Sequence, residues 1–325
     1  MGKKMNFPRI SLVLTTYNRS DLLVEAIESI GKSKIDDAAE LEVIIVDNNS
    51  TDDTAEQVEA IVRGGFPFKL RYVLETEQGL SAARNRGTSE SRGQTIVFMD
   101  DDQRIAENYL ADLESVFEAS GAQCVGGPLL YYNAERLPKW LPHLLQYIGQ
   151  FHAGDSMMLL TPDGELLRGG NMAIRKDELV AIGGYDTRLG RRGDLLFAKE
   201  ETDLQERLYA AGKRIAYDPR LIQYHYLRPE RYSKNYWRRN RFDWGRTTYQ
   251  YEHRNPSTHP RTGSVGGVPR WYLRYLVTRD VPRYLRSMAA SDPGKCFDRE
   301  LDIWTRLGRI YESRALSRAR SGTAG

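Results

Sequence analysis

Two cysteines in 325 residues, Cys124 and Cys296, are too few for a disulfide framework and lack the spacing of a metal site. A reducing compartment is the simpler reading. Long apolar runs are missing too. No stretch approaches the roughly 18 residues a membrane-spanning helix needs. After Met1-Gly2-Lys3-Lys4 the apolar run Ile10–Leu14 is interrupted by Ser11 and is too short for the core of a secretory signal. Gly2 lacks the Ser or Thr four residues on that myristoylation prefers, since Asn6 stands there. A cytoplasmic protein, at most peripheral at the inner face of a membrane, is the expectation. The 28 glycines and 13 prolines show no period, which excludes collagen and low-complexity chains. No G-x-G-x-x-G follows an expected strand, against a dinucleotide enzyme. No glycine-rich loop with a lysine follows the first one, against nucleotidyl transfer.

What is present is a divided charge. The net charge is only +3, yet residues 1–225 carry 26 basic and 35 acidic side chains, and residues 226–325 carry 21 and 9. The last hundred residues also hold 15 of the 33 aromatic side chains. The two parts are built for different surroundings.

Short β-branched runs recur at Ile10–Leu14, Val43–Val46, Leu70–Leu74 and Thr95–Met99. Helical patterns lie between them, at Asp21–Ile30 and Thr54–Val62, with Ser20-Asp21 and Ser50-Thr51-Asp52-Asp53 as expected N-caps. This alternation predicts a mostly parallel, Rossmann-like α/β sheet with helices on both faces. A strand over Gln123–Tyr131, a loop or short helix at Pro138–Pro142, a helix from Lys199 through Ala211 and a strand at Ile215–Tyr217 are expected further on. Residues 1–226 form the expected catalytic domain, divided near 120 into halves at about 8–120 and 121–226. Residues 227–325 form a basic, aromatic-rich, mainly helical extension with a linker near 253–268.

The polar residues cluster where the strands end. Thr15-Thr16-Tyr17-Asn18-Arg19, Asp47-Asn48-Asn49-Ser50 and Asp100-Asp101-Asp102 each follow a strand, and open α/β sheets bind ligands outside those ends. Three adjacent carboxylates repel one another and suit a hard cation, Mg²⁺ or Mn²⁺, that bridges to phosphates. A solvated acidic turn is the alternative. Glu200-Glu201-x-Asp203 opens a helix, where carboxylates either favour the dipole or act as a general base. Arg84, on the first turn after Gly79, is placed to meet a pyrophosphate or a carboxylate. Gly169-Gly170-Asn171 suits close backbone approach to a ligand or a β-bulge. His225 is a metal ligand or a packed core histidine.

These strings resemble glycosyltransferase family 2, of GT-A fold. The resemblance rests on Ser11–Arg19, Ile45–Asp52, Gly79-x-x-x-Ala83-Arg84-Asn85-x-Gly87, Phe98–Asp102, Gly170–Ile174 with Gly183–Asp186, and Glu200–Leu204, in that order. It implies an inverting transfer from a nucleoside-diphosphate sugar, a UDP-sugar favoured, to a glycan or lipid-linked acceptor. By that likeness Thr15 and Asp47 meet the nucleotide base, with Tyr17 and Arg84 nearby. Asp100, Asp101 and Asp102 form the D-x-D element, Asp100 near the ribose and Asp102 on the metal. Gly170 and Asn171 lie on the acceptor side. The family usually reads Glu-Asp where this chain has Glu200-Glu201, so the base is placed on Glu201, with Glu200 and Asp203 left open.

The extension interleaves Arg with Trp, Tyr and Leu at 231–252 and again at 268–286. That composition suits an anionic membrane surface, or a helical cap with its aromatics packed inside. Nucleic acid is not expected, because no recognised module accompanies the charge. Two other functions compete with sugar transfer. One is another nucleotide-using enzyme, such as a nucleotidyltransferase. The other is a catalytically degenerate glycan-binding relative.

Overall fold

The computed structural model describes residues 8–134, 137–193, 195–254, 263–289 and 292–322. The chain forms two compact units. One comprises Met1–Asn133, Gln146–Arg188 and Glu200–Leu227; the other comprises Ala134–Leu145, Leu189–Lys199 and Arg228–Gly325.

The first unit is built on β1 (Ile10–Thr16), β2 (Leu41–Asp47), β3 (Lys69–Leu74), β4 (Thr95–Asp100), β5 (Gln103–Ile105), β6 (Cys124–Gly126), β7 (Leu129–Tyr131), β8 (Met158–Leu159), β9 (Met172–Arg175), β10 (Ile215–Tyr217) and β11 (Gln223–His225). Its helices are α1 (Ser20–Gly31), α2 (Thr54–Gly64), α3 (Leu80–Glu90), α4 (Tyr109–Ser120), α5 (Lys176–Ala181) and α6 (Glu200–Ala210). Eight strands make one sheet in the order β3-β2-β1-β4-β9-β6-β10-β8. The first four run parallel, and β9 enters antiparallel between β4 and β6. A small second sheet has the order β5-β11-β7.

Side chains alternate across a strand, so each central strand feeds two cores. Leu12, Leu14, Val43, Ile45 and Val97 join Leu23, Ile27, Val58 and Leu113 on the α1, α2 and α4 side. Val13, Ile44, Val46, Ile96 and Phe98 join Ala83, Leu179, Leu204 and Leu208 on the α3, α5 and α6 side. The parallel, doubly covered sheet read from the sequence is therefore present.

Two local expectations need correction, the strand over Gln123–Tyr131 and the N-caps, while the loop or short helix expected at Pro138–Pro142 is present. The single strand expected over Gln123–Tyr131 is two, β6 and β7, in different sheets. At the break, Pro128 lacks an amide proton for a ladder, and a Cβ on Gly127 would sit 2.2 Å from the Leu221 carbonyl oxygen. Pro138–Pro142 lies in turns that lead into a 3-10 segment, Pro142–Ile148. Helices α1 and α2 start where expected, but neither N-cap residue, Arg19 or Asp53, caps with its side chain. Asp52 serves both helices, accepting from the backbone N–H of Ser20 at 3.1 Å and of Thr54 at 3.2 Å.

The second unit contains α7 (Lys234–His253), a short hairpin of β12 (Ser264–Val265) and β13 (Val268–Pro269), α8 (Arg270–Tyr275), α9 (Val281–Met288) and α10 (Pro293–Gly322). Residues 255–262 of the expected linker lie outside the described residues, as do 1–7 with Gly2. The 231–252 segment is interior to this unit rather than a free surface helix. Trp237 is fully buried and donates its indole N–H to the Arg231 carbonyl at 2.8 Å. Arg238 and Arg246 pair with Glu300 and Glu312 of α10. The two helices touch backbone to backbone. A Cβ on Gly245 would lie 2.0 Å from the Thr305 carbonyl oxygen, and one on Gly308 would lie 1.9 Å from that of Phe242.

Candidate active site

Parallel register sets the ends of three strands side by side. Thr16 is opposite Asp47, and Thr15 is opposite Asp100. The loops leaving these ends are tight. Asn18 and Asn49 hold left-handed backbone, at φ 51° and 66°, which short amide side chains tolerate by local hydrogen bonding. Asn18 Oδ1 accepts from the Thr51 N–H at 2.7 Å, joining the β1 and β2 loops.

Asp47 is buried, accepting from the Tyr72 hydroxyl at 2.7 Å and the Ser50 N–H at 2.8 Å. Thr15 Oγ1, on the neighbouring strand, is buried with no hydrogen-bond partner among the described residues. Tyr17 stands partly exposed past the end of β1. Asn48 anchors the approach to α3, donating to the Glu77 carbonyl at 2.7 Å and accepting from the Gly79 N–H at 2.7 Å.

The three aspartates divide. Asp101 is buried, taking Thr16 Oγ1 at 3.0 Å and Arg19 Nη1 at 2.8 Å. Burial lifts its carboxyl above the ordinary range; Arg19 opposes this and Asp102 adds to it. Asp100 accepts from Arg84 Nη2 at 3.0 Å. Asp102 Oδ1 lies 3.2 Å from His225 Nε2, both side chains buried, and the Tyr131 ring stacks on the imidazole at 4.9 Å. The β5–β11–β7 sheet makes this pairing, since β11 ends at His225 and the Tyr226 N–H bonds the Asp102 carbonyl at 2.8 Å.

Arg84 joins the two acidic clusters. It is 1% exposed, and Nη1 reaches Glu200 Oε1 at 3.2 Å while Nη2 holds Asp100. Burial works against its charge, but Asp100, Tyr185, Glu200 and Glu201 outweigh that and raise its pKa. Glu200 is itself buried; desolvation and the neighbouring Glu201 push its carboxyl up to about 8, against the pull of Arg84. Asp203 is engaged by Arg207 at 2.8 Å. Glu201 is partly exposed, with Oε2 shielded and without a hydrogen-bond partner among the described residues.

Gly169 and Gly170 admit this crowding. A Cβ on Gly170 would sit 2.3 Å from Gln103 Nε2 and 2.6 Å from Asp100 Oδ2. The Asn171 side chain does not turn toward the site. Its amide donates to the Gly127, Pro128 and Leu221 carbonyls, and its oxygen accepts from the Tyr109 hydroxyl, so it ties strands together in the interior. Tyr72 and Gln103 also border the site and are not among the residues expected there. Gln103 had a signal, standing directly after the aspartate triad. Tyr72 had none, because only the β2–β3 register carries it to Asp47.

No group of three or more His, Cys, Asp or Glu suited to a metal occurs among the described residues. The Asp102–His225 pair still fits a divalent cation. Mg²⁺ and similar ions are commonly held by one or two protein ligands, with phosphate oxygens and water completing the shell.

The profile of glycosyl transferase family 2 matches residues 11–181. A succinoglycan biosynthesis protein, ExoM of Rhizobium meliloti, is 28% identical over 241 residues, 73% of each chain. A GalNAc(5)-diNAcBac-PP-undecaprenol β-1,3-glucosyltransferase of Campylobacter jejuni is 30% identical over 123 residues, 38% of this chain and 39% of its own. Among solved structures, the Pyrobaculum calidifontis mannosyltransferase PcManGT, in complex with GDP-Man and Mn²⁺, superposes with a TM-score of 0.57 at 18% identity, covering 96% of this chain and 87% of its own. S. aureus TarS 1–349 with UDP-GlcNAc gives 0.55 at 16% identity over 91% and 90%. The fold is that of the GT-A glycosyltransferases.

Proposed function

The chain belongs to glycosyl transferase family 2, and we propose that it transfers one sugar, with inversion, from a nucleoside-diphosphate sugar to an acceptor hydroxyl in the assembly of a glycan or glycoconjugate. The observation that carries this reading is the convergence of three strand ends, with Arg84 tying Asp100 to Glu200. That places the polar strand ends beside a pair of glutamates, at the carboxyl ends of the strands where α/β enzymes bind ligands.

In this reading Thr15 and Asp47 receive the nucleotide base, with Tyr17 beside them, and Asp100 and Asp101 border the ribose and diphosphate. Asp102, with His225, would hold a divalent cation, which when bound would supply positive charge for the departing nucleoside diphosphate. Gly170 leaves room for the Gln103 amide and the Asp100 carboxylate to close up beside it. Glu201 takes the acceptor proton as the hydroxyl attacks the anomeric carbon. Its two rivals are less suited: Glu200 is buried and held by Arg84, and Asp203 is engaged by Arg207. Proton transfer to a placed carboxylate contributes about 10²–10⁴-fold, and alignment of donor and acceptor supplies much of the rest. The segment 8–120 serves the donor and 121–226 the acceptor.

Thermal unfolding against a panel of UDP- and GDP-sugars, with and without Mn²⁺, tests the proposal. A metal-dependent rise in midpoint with one donor class is the expected result. Absence of any metal-dependent shift with every nucleoside diphosphate would overturn it.

A further inference from the structure

In the second unit α8, a wide helical turn Leu276–Asp280 and α9 follow one another without a break. One side of this segment is anchored: Tyr272 is buried, and Asp280 is buried against Arg306 Nε at 2.8 Å. Helix α9 has no buried residue, although its sequence is strongly two-faced. Val277, Val281, Leu285 and Met288 recur at helical spacing and are 68%, 36%, 58% and 59% exposed. An amphipathic helix ordinarily turns such a stripe toward the core. Here it faces outward.

The surrounding charge selects what covers it. Between 270 and 289 there are five arginines, at 270, 274, 279, 283 and 286, and one carboxylate, the buried Asp280. On α9, Arg283 and Arg286 lie on the face away from the apolar stripe and are exposed. A second copy laid on the same stripe would bring like charges together. An anionic partner is favoured instead, one that offers a broad apolar layer beneath its charge.

We propose that residues 277–288 dock in the plane of an anionic phospholipid bilayer. Val277, Val281, Leu285 and Met288 enter the acyl boundary, while Arg283 and Arg286 remain at headgroup level. In-plane helices bind by this combination of apolar burial and attraction to acidic lipids. The proposal is independent of the sugar-transfer reading, since binding to a vesicle needs no donor.

Co-sedimentation of the full chain with vesicles of phosphatidylcholine alone, or of phosphatidylcholine mixed with phosphatidylglycerol, tests it. Binding is expected to the mixed vesicles, to weaken in high salt, and to fall by at least about tenfold in Leu285→Glu/Met288→Glu. In Arg283→Gln/Arg286→Gln the preference for phosphatidylglycerol is expected to shrink. Far-UV circular dichroism and the thermal midpoint should match the parent protein in both variants, because these side chains are exposed. No binding to mixed vesicles, equal binding by the parent and the glutamate variant, or a concentration-dependent dimer that the glutamate variant abolishes without vesicle binding, would each overturn the proposal.

Discussion

Glu200 offers a sharp test of the site's electrostatics. Its carboxyl is pushed from an ordinary 4.5 up to about 8 by burial and by Glu201. An acid whose pKa is raised in the folded protein ionises more readily when unfolded. The stability this confers is therefore fully present below about pH 4.5 and is lost as the pH rises through about 8. At pH 7 the loss spans about 2.5 pH units, each worth 1.36 kcal/mol, so roughly 3 kcal/mol is at stake. Glu200→Gln keeps the shape and an oxygen for Arg84 but cannot ionise. The variant is expected to be more stable than the parent at pH 7, by up to about 3 kcal/mol, and to show a flatter stability profile between about 4.5 and 8. Urea unfolding across that range measures both. Should Glu200 instead be ionised in the folded protein, its pair with Arg84 would be a true buried ion pair. Neutralising one member would then cost about 3–5 kcal/mol. A glutamine variant less stable than the parent at pH 7 would refute the reasoning.

Glu201→Gln is expected to lower kcat by about 10²–10⁴-fold while the metal-dependent thermal shift with donor persists; near-normal turnover would move the base elsewhere. Asp102→Ala should abolish that thermal shift and metal-dependent turnover, with donor hydrolysis in a Mn²⁺ titration as the readout. Gly170→Ala forces a methyl against Gln103 and the Asp100 carboxylate, and a loss of about 1–3 kcal/mol in donor binding, read by calorimetry, is expected. Gly245→Ala sets a methyl against the rigid backbone of α10 and should destabilise the second unit by a similar amount, visible as a lower urea midpoint.

Much of this was legible in the sequence because it is local. The β-branched runs at Ile10, Val43, Leu70 and Thr95 mark strands by composition alone, and the polar residues that end them fall at the cleft through parallel register. What was not legible depends on distance along the chain. Arg84 meets Glu200 across 116 residues, and nothing near either one announces the partner. Strand β9 is four residues long and runs against its neighbours, so no βα rhythm signals it. Asn171 looked like a ligand-facing residue because it follows two glycines. Only the fold shows its amide holding three interior carbonyls. The interleaved arginines and aromatics at 231–252 and 268–286 looked alike as composition. In the first, Arg238 and Arg246 pair with acids on α10, which lie about sixty residues on.

The antiparallel strand has a consequence for how the chain is made. Strands β3-β2-β1-β4 are complete once residue 100 has been synthesised, but β4 has no neighbour on its far side until Met172–Arg175 arrive. Until then a nascent chain carries a finished parallel half-sheet whose β4 edge is open in addition to the outer β3 edge, the kind of edge that invites pairing with another chain. Strand β6, made earlier, cannot close that edge, because its own place in the sheet is beside β9. The last strand of the central set to be translated before β10 is thus the one that joins the two halves. Assembly of this sheet is ordered by biosynthesis as well as by energy.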